Sequence, residues 1–243
     1  MVRVERRGEA GDIAVVTIDR PARRNALDVA TLEALATAQQ TIEDARVVVL
    51  TGAPPAFCAG ADLDAVEDAA FAGLLARVLR WFTELRAPVV AAVDGPALGA
   101  GTQLAMACDL RVATPASRFG IPAARLGLVV DEWTVRRLHD EVGASTARAM
   151  LLAGDTFDAV RLHALGAVHR LGDLDDALAW ADELALLAPL TIAGHKLALE
   201  RTAEGIDVDE AVAHARAAAW ASADAAEGRA AFREKRPARF TGT

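Results

Sequence analysis

Two glycine-bearing junctions carry the chemistry that this chain is equipped to do. In the first, the apolar run Val89 to Val93 meets the turn Asp94-Gly95-Pro96, then passes through Gly99-Ala100-Gly101 into an apolar helix ending near Cys108. A strand, glycine turn and helix start in that order direct unpaired backbone N–H groups and the positive end of a helix dipole toward one point. Gln103 faces that point from the helix, and it is a neutral amide, not a base. The second junction, Ala56-Phe57-Cys58-Ala59-Gly60-Ala61-Asp62-Leu63, follows the buried strand Val47 to Thr51. One N–H from each exit, Ala61 and Ala100, would converge on a shared oxygen as an oxyanion hole, each donor being worth about 3–4 kcal/mol in a transition state. The plainer alternative is two tight turns whose small residues serve only close backbone approach.

A further carboxylate, eight positions beyond Ala123, is Asp131, in Gly127-Leu128-Val129-Val130-Asp131-Glu132-Trp133. It reads as the N-cap of a helix starting at Glu132 and as a candidate proton carrier or nucleophile, and the two roles are compatible. Trp133 is either core or a wall of an apolar pocket. Cationic candidates for a phosphate-bearing ligand are Arg20, Arg23 and Arg24 around Asn25-Ala26-Leu27, with Lys235, Arg236 and Arg239 near the C-terminus. Such clusters otherwise serve as solvated surface. The five histidines show no metal-ligand spacing, so no metal is expected. No GxSxG surrounds a serine. Gly99-Ala100-Gly101 lacks the third glycine of a dinucleotide fingerprint, and no phosphate loop with Gly-Lys-Ser/Thr follows a strand. Cys58 and Cys108 read as small buried hydrophobes.

The elements that position these residues alternate. Strands are expected at Ile13 to Ile18, Val47 to Thr51, Val89 to Val93, Leu110 to Ala113, around Phe119, and at Val168 to Leu171. Helices are expected after an Asp28 cap, over Phe71 to Leu85, Glu132 to Val142 and Ser145 to Leu152. From Asp175 onward the chain reads as helix, broken at Pro189 and Gly205, with the Ala-rich run Ala211 to Ala226 as a packed helix. Strands followed by helices alone suggest repeated β/α units plus a C-terminal helical portion. The chain has 243 residues, 53% hydrophobic, 5% aromatic and without tyrosine, which fits an Ala/Leu/Val-packed globular protein. A net charge of −8 disfavours nucleic acid as the main partner. The charged N-terminus lacks a signal core, and no run reaches the ~18 apolar residues of a membrane helix, so a cytoplasmic protein without an integral membrane segment is expected.

The motifs RPARRNAL, VVVLTGAPPAFCAGADL, PVVAAVDGPALGAGTQLAMACDLRVAT, RFGIPAARLGL and the C-terminal EKRPARF resemble, in order and spacing, the crotonase (enoyl-CoA hydratase/isomerase) superfamily. That resemblance implies an α/β fold, a spiral of ββα repeats over residues 1–186, with a C-terminal helical trimerisation region over 187–243. It implies a homotrimer, or a hexamer built as a dimer of trimers. It implies fatty acyl-CoA as ligand or substrate with no other cofactor, its thioester oxygen held by the amides of Ala61 and Ala100. It places CoA contacts at Arg23, Arg24, Ala26, Leu27, Ala59, Asp62, Leu63 and Lys235, and an acyl wall at Leu126, Leu128, Val129 and Trp133. Ala100 stands where the family usually has glycine, but only its N–H is required.

The departures carry more weight. The two glutamates that hydratases of this family use fall at Gln103 and Ala123, and no Glu occurs between Glu84 and Glu132. An amide hydrogen-bonds without accepting a proton, and a methyl does neither. Ordinary hydration should therefore be absent or very slow. The segments GAGTQLAMACDLRV and DEWTVRRL are similar to mycobacterial members that lack both glutamates, implying a link to fatty acid or mycolic acid metabolism. Two functions follow as expectations: an acyl-CoA binder that does not hydrate, or an enoyl-CoA isomerase or weak hydratase using Asp131. A nucleotide-binding oxidoreductase is a third class, distinguished by NAD(P) binding.

Overall fold

The computed structural model describes residues 1–8, 11–64, 69–206 and 209–243. Six strands, β1 (Val2–Arg7), β2 (Ile13–Ile18), β3 (Val47–Gly52), β4 (Val89–Val93), β6 (Leu110–Ala113) and β9 (Arg170–Leu171), form one sheet in the order β1-β2-β3-β4-β6-β9. All its pairings are parallel except β1 with β2. β5 (Pro96–Leu98), β7 (Arg118–Gly120) and β8 (Phe157–Asp158) form a second, smaller sheet. The chain leaves β4 for β5 and leaves β6 for β7, so strands β4 to β7 alternate between the sheets. The result is a mixed α/β core with a C-terminal helical region.

Parallel strands covered on both faces should read as continuous apolar runs, and β2, β3 and β4 do. Val16, Val48, Leu50, Val89 and Ala91 face one core, shared with α1 (Val29–Gln40), α2 (Ala69–Glu84) and α3 (Ala100–Ala107). Val15, Val47, Val49, Val90 and Val112 face the other, closed by Ala177 and Ala181 of α7 (Leu174–Ala185). Asp28 caps α1 by accepting from Thr31 N at 2.8 Å, as its sequence position predicts.

α8 (Pro189–Ala203) is anchored through charge. Lys196, 6% exposed, donates to the carbonyls of Phe82 (2.8 Å) and Ala87 (3.1 Å) and pairs with Asp109 at 2.7 Å. One turn on, Glu200 pairs at 2.7 Å with Arg137 of α4 (Glu132–Val142).

Several boundaries differ from the sequence reading. Val168 is buried but precedes the two-residue β9, because the edge pairing with β6 involves only Arg170 and Leu171. The helix expected at Ser145 to Leu152 is α5 (Ala144–Arg148), which widens into a π-helical turn over Ala149–Ala153. β1, β5, β8 and α6 (Ala159–Ala164) had too short or too polar a pattern to be read. The run Ala211 to Ala226 is not one packed helix. Ser222, accepting from Ala225 N at 3.0 Å, separates α9 (Glu210–Ala221) from α10 (Ala223–Glu234), and α9 buries none of its residues. Asp207 and Val208, inside the expected helical stretch, lie outside the described residues.

Candidate functional site

The two junctions are stitched together as strands. Cys58 N donates to Pro96 O and Leu98 N donates to Cys58 O, both at 3.0 Å, which sets Cys58 opposite Ala97 in parallel register. Three residues further along each chain stand Ala61 and Ala100. The fit is tight at the glycines. A side chain on Gly101 would put Cβ 2.1 Å from the Cys58 carbonyl oxygen, closer than any real contact. Gly60 sits at φ +114°, where L side chains are strained. Neither the Ala61 nor the Ala100 N–H has a hydrogen-bond acceptor among the described residues.

Two residues the sequence reading did not single out hold this arrangement. Asn25, fully buried at φ +58°, donates to the carbonyls of Ala53 (2.7 Å) and Ala56 (2.6 Å) and accepts from Arg20 N, clamping the second junction. Thr102 donates to Ala97 O at 2.6 Å and accepts from Gly120 N at 2.9 Å, fixing the start of α3 to the small sheet. The one available signal was residue type: asparagine tolerates positive φ and can satisfy several backbone groups at once.

Both junctions open onto a cavity of about 820 Å³. Ala61, Ala100, Gln103, Ala123 and Asp131 line it, with Leu126, Leu128 and Val129 and with Phe71, Leu75 and Leu79 of α2. Arg23, Arg24, Ala26, Ala59, Asp62 and Leu63 belong to the same wall. Three sequence candidates lie elsewhere. Leu27 is wholly buried in the core, bridging to Ala61 with its backbone. Trp133 packs on the core and lines a separate cavity of about 400 Å³ between α2, α8 and α9. Its place beside Glu132 at the helix start turns it away from Asp131, since adjacent helical residues point to different sides. Lys235 terminates α10 in a left-handed conformation and does not contribute to the large cavity.

The charges divide into structural and free. Arg20 pairs with Asp28 (2.9 Å) and Asp62 (2.8 Å), and its hydrogen bond holds the Asp62 carboxyl below the usual range. Arg236 is likewise paired with Glu227 and Glu234. Arg23 reaches Asp64 only at 4.0 Å and is largely exposed, and Arg24 makes no ion pair among the described residues. These two are the cations available at the mouth. Cys58 is inert: burial pushes its thiol up to about 12.

Gln103 is 7% exposed and donates from Nε2 to Thr134 Oγ1 at 2.6 Å. Thr134 N donates at 2.9 Å to Asp131 Oδ1, so Asp131 is the N-cap of α4 and a cavity-lining carboxylate together. Ala123 presents a methyl from the short 3-10 turn Pro122–Leu126. The corner holds one amide, one hydroxyl and one carboxylate already engaged as a cap.

The family model for enoyl-CoA hydratase/isomerase matches residues 8–243. The chain belongs to that family. Among curated members, it is 43% identical over 242 residues to the probable enoyl-CoA hydratase echA6 of Mycobacterium tuberculosis (strain CDC 1551 / Oshkosh), covering 96% of this chain and 98% of that protein. It is 34% identical over 251 residues to the mitochondrial enoyl-CoA hydratase domain-containing protein 2 of Homo sapiens, covering 95% and 86%. Among solved structures, an enoyl-CoA hydratase/carnithine racemase from Magnetospirillum magneticum superposes with a TM-score of 0.90 at 32% identity, over 100% of this chain and 96% of that one. The enoyl-CoA hydratase EchA1 from Mycobacterium marinum gives 0.85 at 37% identity, over 100% and 99%. In this enoyl-CoA hydratase/isomerase family member, Gln103 and Ala123 give the cavity an amide and a methyl, neither of which accepts a proton.

Proposed function

We propose that this protein binds fatty acyl-CoA thioesters with little or no hydratase activity. The observation that carries the reading is the contrast inside one cavity. Two amides without an acceptor among the described residues, Ala61 and Ala100, line the cavity together with Gln103 and Ala123, neither of which can take a proton from water. The amides suit a thioester oxygen, the Leu126, Leu128 and Val129 wall suits an acyl chain, and Arg23 and Arg24 suit CoA phosphates. Family membership and the relatives named as probable enoyl-CoA hydratases support a place in fatty acid metabolism. The test is calorimetric titration with C12–C20 acyl-CoA against free CoA, beside a crotonyl-CoA hydration assay. Tight acyl-CoA binding without turnover supports the reading, and hydration at the rate of an ordinary hydratase refutes it.

A second reading rests on Asp131, whose carboxylate lines the cavity. Isomerisation of an enoyl thioester needs enolate stabilisation and one proton shuttle, which a single carboxylate can supply. Turnover in the parent protein that disappears in Asp131→Asn, with acyl-CoA affinity kept, would establish it.

Assembly belongs to the same proposal. Trp220 of α9 and Phe232 of α10 are 68% and 86% exposed in the single chain, apolar surface that a second copy would cover in a trimer or hexamer. Light scattering on the purified protein measures this. No single helix among the described residues is long and apolar enough to cross a membrane, and the expected location is the cytoplasm.

A further inference from the structure

We propose that Arg137 is a positioning residue for the thioester site. It fastens the far end of α3 to α8, so the hold of the Ala100 amide on a ligand oxygen depends on how the C-terminal helices are seated. The inference rests on the acyl-thioester reading and adds a control of that site from outside the cavity. α3 is a short rod of about 12 Å, with Ala100 at one end and Ala107 at the other, and all of its residues are buried. A helix leaves its last carbonyls without partners of its own. Here two guanidiniums from other elements take them. Arg111 of β6, 1% exposed, donates to Ala105 O at 3.2 Å and to Cys108 O at 2.7 Å. Arg137 of α4 donates from Nε to Met106 O at 2.8 Å.

The two arginines differ in what else they hold. Arg111 is tied within the α/β core, to Ala167 O at 2.5 Å and to Glu141. Arg137 lies 3.4 Å from the same Glu141, and its Nη1 reaches Glu200 of α8 at 2.7 Å. One planar head group therefore bonds to α3 through Nε and to α8 through Nη1. A fork of fixed geometry keeps both bonds only while its two partners hold their spacing. Little of either Arg137 or Glu200 is exposed, and a charge deprived of its partner in such surroundings is costly. Lys196, one turn earlier in α8, bonds to Asp109 just past the end of α3, so the seats of the two helices meet at neighbouring points. If α8 shifts, Arg137 either loses Glu200 or follows it and leaves Met106 O. Close-packed on every side, α3 moves as a body. A displaced far end then moves the Ala100 N–H relative to that of Ala61, which the separate junction after β3 sets in place.

The test uses dodecanoyl-CoA labelled with carbon-13 at the thioester carbonyl and bound to the full-length protein. Calorimetry gives its Kd beside that of free CoA, which lacks the acyl carbonyl. Difference infrared spectroscopy reads the labelled C=O stretch, which hydrogen bonds lower. Glu200→Leu unties α8 and leaves Arg137 paired with Glu141. Dodecanoyl-CoA should then bind about 3–10-fold more weakly, the range of one net hydrogen bond, with free CoA unchanged and the stretch moved to higher wavenumber. Glu200→Gln, which keeps an oxygen facing Arg137, should restore most of both. Arg137→Lys keeps the charge but not the fork. It should move both readouts as Glu200→Leu does, and it decides the matter if Glu200→Leu fails to fold. Asp173→Ala, which removes the cap of α7 on the other face of the sheet, controls for lost stability alone and should lower Tm without moving the stretch. An unchanged stretch and Kd ratio in Arg137→Lys and in folded Glu200→Leu, or an equal shift in Asp173→Ala, overturns the inference while leaving acyl-CoA binding intact. Failure of dodecanoyl-CoA to bind the parent protein overturns the underlying functional reading and this inference with it.

Discussion

The paired amides of Ala61 and Ala100 and the corner of Gln103, Ala123 and Asp131 face the same cavity, yet they are made from different parts of the chain. The amides are backbone, placed by the parallel register of Cys58 with Ala97 and by glycines that permit close approach. The corner consists of side chains on α3, a 3-10 turn and the cap of α4. A backbone donor survives any substitution that keeps the register, as alanine at position 100 illustrates. A proton-transfer group exists only as long as its side chain does. The two halves of such a site are therefore free to part company, because the register sets the donors and individual side chains set the proton-transfer groups.

That contrast is breakable. The largest effect should come from restoring carboxylates: Gln103→Glu together with Ala123→Glu is expected to raise crotonyl-CoA hydration by about 10²–10⁴-fold over the parent. A spectrophotometric assay showing no gain would mean the amides are not positioned for this chemistry. Next is Gly101→Ala. In an ordinary helix the change stabilises by up to about 1 kcal/mol, but here the new Cβ would lie 2.1 Å from a backbone oxygen. Stability should instead fall by about 3 kcal/mol, a Tm drop of about 6–12 °C for a chain of this size, with weakened acyl-CoA binding. A rise in Tm would show that the junction is looser than the register demands.

Smaller effects separate the capping role of Asp131 from its charge. Asp131→Ala should cost about 1 kcal/mol through loss of the bond to Thr134 N, measured by denaturant unfolding, whereas Asp131→Asn should leave stability nearly unchanged because asparagine caps equally well. The smallest effect lies away from the site. His169 Nδ1 accepts from Arg111 N at 3.1 Å, and burial, then the nearby Arg111 guanidinium, lowers its pKa to about 4. Unfolded, the ring gains its proton near pH 6.5, so between pH 6.5 and 4 the unfolded chain binds more protons and stability falls as pH falls. Partial exposure of His169 limits the loss to about 1 kcal/mol or less. An NMR titration of its ring should show a midpoint near 4, and His169→Gln should flatten the slope of Tm against pH across that window.

Much of the scaffold was legible because its signals are local. β2, β3, β4 and the Asp28 and Asp131 caps announce themselves through apolar runs and capping residues, and α4 begins and ends where its pattern does. The small sheet was legible only at Phe119, in β7: β5 and β8 are too short to carry a period, and only pairing with distant segments makes them strands. Among the site candidates, positions flanking glycines fell on the cavity wall. Trp133 and Lys235 did not, since which cavity a side chain enters depends on how its helix is rotated and where the chain ends fold back.

By itself the sequence determined the alternation of strands and helices, the two glycine junctions, and the absence of any glutamate between Glu84 and Glu132, because these are properties of residue type and local order. Only the tertiary structure decided that Cys58 pairs with Ala97, so that Ala61 and Ala100 line one cavity, that Asn25 clamps one junction, and that Thr134 takes one end of the Gln103 amide. Each of those depends on contacts between residues about 30 or more positions apart. Local propensity carries no record of such distances, and register and packing alone set them.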